Sequence, residues 1–157
     1  MMIKRKVCLL MALALMLLSA AALAGEVKLS GICFKYVPDA GRTSVSNTVR
    51  GDVSAWQIAQ ALESGAAYGI NCKLTRKASG SADYDGRIVL TAPDGWSYPY
   101  TARLSFTAST EYVWFECLGV EFFTAYYSQF GSIEPGSYTV SLYLDGELSD
   151  TARFTVK

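Results

Sequence analysis

The chain is expected to be mainly β: an antiparallel β-sandwich of about seven strands with one short helix. Three observations carry that expectation. Apolar and polar residues alternate in run after run, most cleanly where Ala102, Leu104, Phe106 and Ala108 interleave with Thr101, Arg103, Ser105 and Thr107. A period of two puts one kind of side chain on each face of a half-buried strand. The runs are divided by turn chemistry such as Pro93-Asp94-Gly95 and Asp145-Gly146, where glycine accepts a positive φ and aspartate tolerates one. No regular alternation of strands with helices runs through the chain, so strands must be joined as antiparallel neighbours rather than by crossovers.

The opening residues read as an address. Lys4, Arg5 and Lys6 precede an apolar run from Val7 to Leu18, and Ala22-Leu23-Ala24 before Gly25 fits a small-residue cleavage site. Residues 1–24 are therefore expected to be a signal peptide cut between Ala24 and Gly25, and 25–157 a single domain that is secreted, periplasmic or held at the cell surface. The only expected membrane contact is through that segment if it stays uncleaved.

Glu26 to Val37 reads as the first strand, with a change of phase at Ser30-Gly31 that predicts a bulge. Pro38 to Gly51 is polar and aperiodic, a long loop. Ser54 to Ser64 is the helix candidate: Ala55, Ile58, Ala59 and Leu62 share a face, Ser54 and Gln57 have capping-box spacing, and Gly65 closes the end. Trp56 is read as a packing residue beside that stripe. Tyr68 to Arg76 is a strand with Tyr68, Ile70, Cys72 and Leu74 in phase. Lys77 to Gly86 reads as a polar connection, Arg87 to Ala92 as a strand, and Trp96 to Tyr100 as an aromatic loop. Thr101 to Ala108 and Glu111 to Leu118 are further strands, and Phe122 to Gly131 is either a strand or a broad aromatic loop. Tyr138, Val140, Leu142 and Leu144, then Ala152, Phe154 and Val156, mark a terminal hairpin around Asp145-Gly146.

Formal charge balances over the whole chain, but removal of the leader would leave eleven basic against fourteen acidic side chains, a net charge of −3. A mildly acidic domain lacks the positive field that phosphate backbones require, so no nucleic-acid partner is expected. The sequence has no histidine, which excludes Ser–His–acid and Cys–His nucleophiles and histidine zinc sites. No Gly-rich phosphate cradle and no C-x-x-C pair is present. Glu111, Glu116 and Glu121 lie near aromatic residues, but an unbroken strand sets Glu111 and Glu116 on opposite faces. Asp83-Tyr84-Asp85-Gly86 lacks the rest of a calcium loop. No catalytic residue, metal or cofactor is expected.

Export permits a disulfide. Phase turns Cys72 and Cys117 inward and sets Cys33 with Lys35, so a Cys72–Cys117 bridge is the first expectation and Cys33–Cys72 the second, with three unpaired thiols the remaining possibility.

The run Ile88-Val89-Leu90-Thr91-Ala92-Pro93-Asp94-Gly95, together with the ending P-G-S-Y-T-V-S-L-Y-L-D-G-E-L and F-T-V, resembles bacterial extracytoplasmic immunoglobulin-like domains. The resemblance covers the last 90 residues or so and implies a sandwich with no catalytic residues. The antibody pattern departs here, since Phe115, not tyrosine, stands two positions before Cys117. Aromatic side chains are what point to function. With Val113, Phe115 and Cys117 in the core, Tyr112 and Trp114 project outward. Tyr143 is out of phase with its core neighbours, and Trp96, Tyr98 and Tyr100 form a second candidate surface. Outward rings stack on sugars or anchor proteins. The expected function is a non-catalytic binding module for a protein partner or in adhesion, with a carbohydrate-binding module, or an inhibitor-like or surface-assembly protein, as alternatives.

Overall fold

The computed structural model describes residues 26–157; the expected signal peptide over residues 1–24 and its expected cleavage junction at Ala24–Gly25 lie outside the described residues. Two four-stranded antiparallel sheets face one another. The first has the order β2 (Asn47–Thr48), β1 (Val27–Val37), β3 (Ala67–Arg76), β6 (Tyr112–Phe115). The second has the order β5 (Ser97–Phe106), β4 (Ala82–Thr91), β7 (Gly136–Leu144), β8 (Glu147–Val156). Ile70, Cys72 and Leu74 from the first sheet and Ile88, Leu90, Tyr138, Val140 and Leu142 from the second are completely buried in the core between them. The bulge in β1 falls between Leu29 and Gly31, where the phase change placed it.

Two helices complete the domain. Helix α1 (Ala55–Glu63) carries the full Ser54–Gln57 capping box, which satisfies orphan amides of its first turn. The Ala55 N–H donates to the Lys157 carbonyl and the Lys157 N–H to that of Val53, fastening the chain end to this helix. Helix α2 (Gly119–Phe130) follows β6 and packs beside β3, sending Phe122, Phe123 and Tyr126 into the core.

The second helix corrects the expectation of a strand or loop over Phe122 to Gly131. Phe122, Tyr126 and Phe130 are spaced by four, and Gly131 ends the helix with φ 71° and an amide bonded to the Tyr127 carbonyl at 2.8 Å. A further correction concerns residues 82–86, which continue β4 instead of forming a connection. The acidic, glycine-containing composition hides the phase: Ala82, Tyr84 and Gly86 extend the inward row, and a Cβ on Gly86 would come within 2.7 Å of Leu104. The aromatic stretch Ser97 to Tyr100 is likewise strand, the start of β5.

Cys33, Cys72 and Cys117 are free, so the Cys72–Cys117 bridge is not made. Cys72 faces the interior of the sandwich. Cys117 belongs to a separate cluster with Val37, Ala67 and Val120, and its backbone backs onto Gly69, which alternates out of phase with Cys72. The two thiols lie on opposite sides of β3.

Candidate functional site

Alternation fixes the outer face of the first sheet. On β3, Gly69, Asn71, Lys73 and Thr75 point away from the core; register sets Cys33 and Lys35 of β1 opposite Asn71 and Gly69, and Trp114 and Tyr112 of β6 opposite Lys73 and Thr75. Tyr112 is 47 % and Trp114 46 % exposed, so both rings project to solvent as their phase implies. The Lys73 ammonium lies 4.2 Å from the centre of the Tyr112 ring, a cation–π contact.

Beside Trp114 is a cavity of about 300 Å³ lined by Cys33, Lys35, Thr48, Asn71, Trp114 and Glu116. Lys35 Nζ donates to Thr48 Oγ1 at 2.7 Å, which fixes the ammonium at one rim. Asn71 is the buried polar residue of the site, 3 % exposed; its Oδ1 accepts from the Cys117 N–H at 2.8 Å. That bond holds Cys117 at φ 54°, the turn that ends β6 and starts α2. The cavity thus offers an aromatic wall, a cation, a carboxylate and small polar groups, and the thiol of Cys33. Among the described residues, no group of His, Cys, Asp or Glu side chains is placed to hold a metal ion. No described helix is long and apolar enough to cross a membrane.

A second opening, about 500 Å³, lies between the edge strands of the two sheets, β5 and β6. Ala102, Leu104, Val113 and Phe115 line it together with Arg103, Ser105, Trp114 and Glu116, so Trp114 and Glu116 border both cavities.

The other aromatic candidates are elsewhere. Trp96 packs against Phe122, Tyr126 and Phe130, with ring centres 5.2, 5.5 and 6.4 Å away. Tyr98 and Tyr100 point inward on β5, and the Tyr100 hydroxyl accepts the Phe122 N–H at 2.9 Å, capping a first-turn donor of α2. Burial pushes the Tyr100 phenol far up, although accepting that amide opposes the shift. Trp96 and Tyr100 join this region to the helix, Tyr98 packs against both of them, and all three rings are partly buried. Tyr143 lies on the outer face of the second sheet under the Arg87 guanidinium, 4.5 Å from its ring centre, on the opposite side of the sandwich from Trp114. Trp56, read from sequence as packing, is 70 % exposed on α1.

Asn71, Lys35 and Thr48 were not singled out by sequence, and Glu116 was noted there only as a carboxylate near aromatic residues, because only cross-strand register brings three strands' residues together. The legible signal was the shared phase of Cys33 with Lys35 and of Trp114 with Glu116. Neither a comparison with protein-family models nor one with curated proteins finds a match for this chain.

Proposed function

We propose that this is an exported, non-catalytic interaction module of immunoglobulin-like type that engages a protein partner through the outer face and free margin of its first sheet. The observation that carries the reading is the pair Tyr112 and Trp114, adjacent on one face of an edge strand and both about half exposed. Large rings left in water beside an edge are the kind of residue that dominates binding energy at interfaces. Strand order supports the immunoglobulin-like part. With the two-residue β2 set aside, strands one, two and five of the remaining seven main strands, namely β1, β3 and β6, share a sheet. The other sheet runs β5-β4-β7-β8, which is the A-B-E against C′-C-F-G arrangement of such sandwiches. At the start of β7, the counterpart of strand F, the buried Tyr138 donates its hydroxyl to the Glu134 carbonyl, the backward bond of a tyrosine corner. Both helices are additions to that plan.

Carbohydrate recognition is the second reading, favoured by the placement of Asn71, Lys35, Thr48 and Glu116 around the cavity walled by Trp114. A glycan array run beside a pull-down from the producer's envelope separates the two. The expected result is a protein retained by the wild-type domain and lost, by about tenfold or more, on Tyr112→Ala/Trp114→Ala. Retention unchanged by that variant contradicts the proposal, and array signals that need Trp114 and Asn71 establish the second reading instead.

A further inference from the structure

The two sheets leave their margins in different states. The β8 margin is covered: Ser149 Oγ donates to the Val27 carbonyl, the Leu29 N–H donates to the Asp150 carboxylate at 2.9 Å, and a bulge interrupts β8 beside Leu142 and Tyr143. The β5 margin is different. Its ten register pairs with β4 run without a shift, and near its start the Tyr100 hydroxyl accepts the Phe122 N–H of α2.

Hydrogen-bond parity says which groups are free. The Ala92 N–H donates to the Trp96 carbonyl, so alternate pairs counted from there (Leu90 with Tyr98, Ile88 with Tyr100, Gly86 with Ala102, Tyr84 with Leu104) exchange the ladder bonds. The Asp145 N–H bonded to the Asp85 carbonyl confirms the parity, because odd-numbered residues of β4 serve β7. Ser97, Pro99, Thr101, Arg103 and Ser105 therefore turn their backbone groups away from β4. Pro99 falls where no N–H is needed, as edge prolines do. From Thr101 to Ser105 an uninterrupted row of donors and acceptors faces the groove floored by Ala102, Leu104, Val113 and Phe115.

We propose that this margin is a docking site for one extended segment of a partner protein, which adds to the second sheet as a strand beside β5. The inference rests on the protein-interaction reading above and extends it from the first sheet's margin across the groove bordered by Trp114 to β5. Only another extended backbone repeats donors and acceptors at this spacing. The segment carries apolar side chains at alternate positions, where they drop into the groove, and an acidic one opposite Arg103. That guanidinium is 71 % exposed, with only the exposed Asp83 carboxylate 3.7 Å away. A second copy of the chain is the poorer occupant. Two-fold registers centred near Arg103 set it beside its own copy, and registers displaced toward the start of β5 meet Pro99, which donates nothing.

The probe is a capped peptide whose core is Thr-Val-Glu-Val-Thr, in the antiparallel register that puts its Glu opposite Arg103. Added to the protein, it is expected to shift and slow exchange of the Thr101, Arg103 and Ser105 amides. Methylating the peptide's Glu nitrogen removes a bond aimed at β5 and weakens binding about tenfold or more, whereas methylating a Val nitrogen, which points away, leaves it unchanged. Ser105→Pro abolishes the response with the fold intact, judged by amide spectra, and Arg103→Glu transfers the preference to a peptide with Lys in place of Glu. Equal effects of the two methylations overturn the proposal, as does self-association through β5 in sedimentation. Shifts confined to Tyr112 and Trp114 overturn the edge geometry while leaving the face as a binding surface; an unresponsive face with responsive edge amides does the reverse.

Discussion

Replacing Gly69 by alanine tests the junction on which the site is built. Gly69 sits on the outer face of β3, where the chain leaves β6 and turns into α2. A Cβ there would stand 2.8 Å from Val120 Cγ2 and 3.2 Å from Cys117 Cα. Carbon atoms in good contact are about 3.5–4.0 Å apart, so one neighbour must give way. Val120 has little rotamer freedom on a helix. The Cys117 backbone is held by Asn71 Oδ1, and the next amide, of Leu118, bonds the Ile70 carbonyl at 2.9 Å. Overpacking of this kind costs about 2–3 kcal/mol, and the smaller unfolded-state entropy of alanine returns about 0.5–1 kcal/mol. A net loss of about 1–2.5 kcal/mol is expected in urea denaturation with an unchanged slope. Val120→Ala removes the closer of the two contacts, so the double variant should be more stable than the sum of the singles by about 1 kcal/mol. A neutral or stabilised Gly69→Ala, with additive singles, would refute the idea that α2 starts pressed against this face.

Three further outcomes follow from the packing. Trp96→Ala should lose about 3–5 kcal/mol because its ring fills the space among Phe122, Tyr126 and Phe130, while Trp56→Ala, 70 % exposed, should stay within about 0.5 kcal/mol in the same denaturation series. Iodoacetamide followed by peptide mapping should label Cys33, which lines a cavity, before the buried Cys72, whose thiol burial and the nearby Cys33 push up to about 12, and before the buried Cys117. The Tyr126 hydroxyl donates to Asp94 Oδ2 at 2.9 Å, and burial with that carboxylate raises its pKa to about 12. Unfolded tyrosine titrates near 10, so the folded state holds this proton more tightly. Its contribution is complete below pH 10 and drains away as pH rises toward 12. Stability measured across that window should fall less steeply for Tyr126→Phe than for the wild type.

The strands were legible where alternation is uninterrupted, as in Thr101–Phe106 and Tyr138–Leu144, because a period of two is nearly insensitive to what a strand pairs with. It failed at Ala82–Gly86, where two aspartates and a glycine resemble a turn and only the partner side chain Leu104 explains the glycine. It failed again at Gly119–Phe130, whose aromatic density suggests strand although the spacing of Phe122, Tyr126 and Phe130 is helical. Tyr112 and Trp114 could be assigned outward from phase alone. Asn71 could not be placed beside them, because its position depends on the register of β3 against both β1 and β6. The cysteines show the same limit: phase places each relative to its own strand, but only the turn at Cys117 decides which side of β3 it occupies.

Amide hydrogen exchange along β5 tests the central arrangement without any partner. The account predicts alternation: Tyr100, Ala102 and Leu104, bonded to β4, exchange slowly, and Thr101, Arg103 and Ser105 exchange quickly. Uniform protection through Thr101–Ser105, or the opposite alternation, would mean that the margin is already paired or that the register is wrong, and would contradict the account.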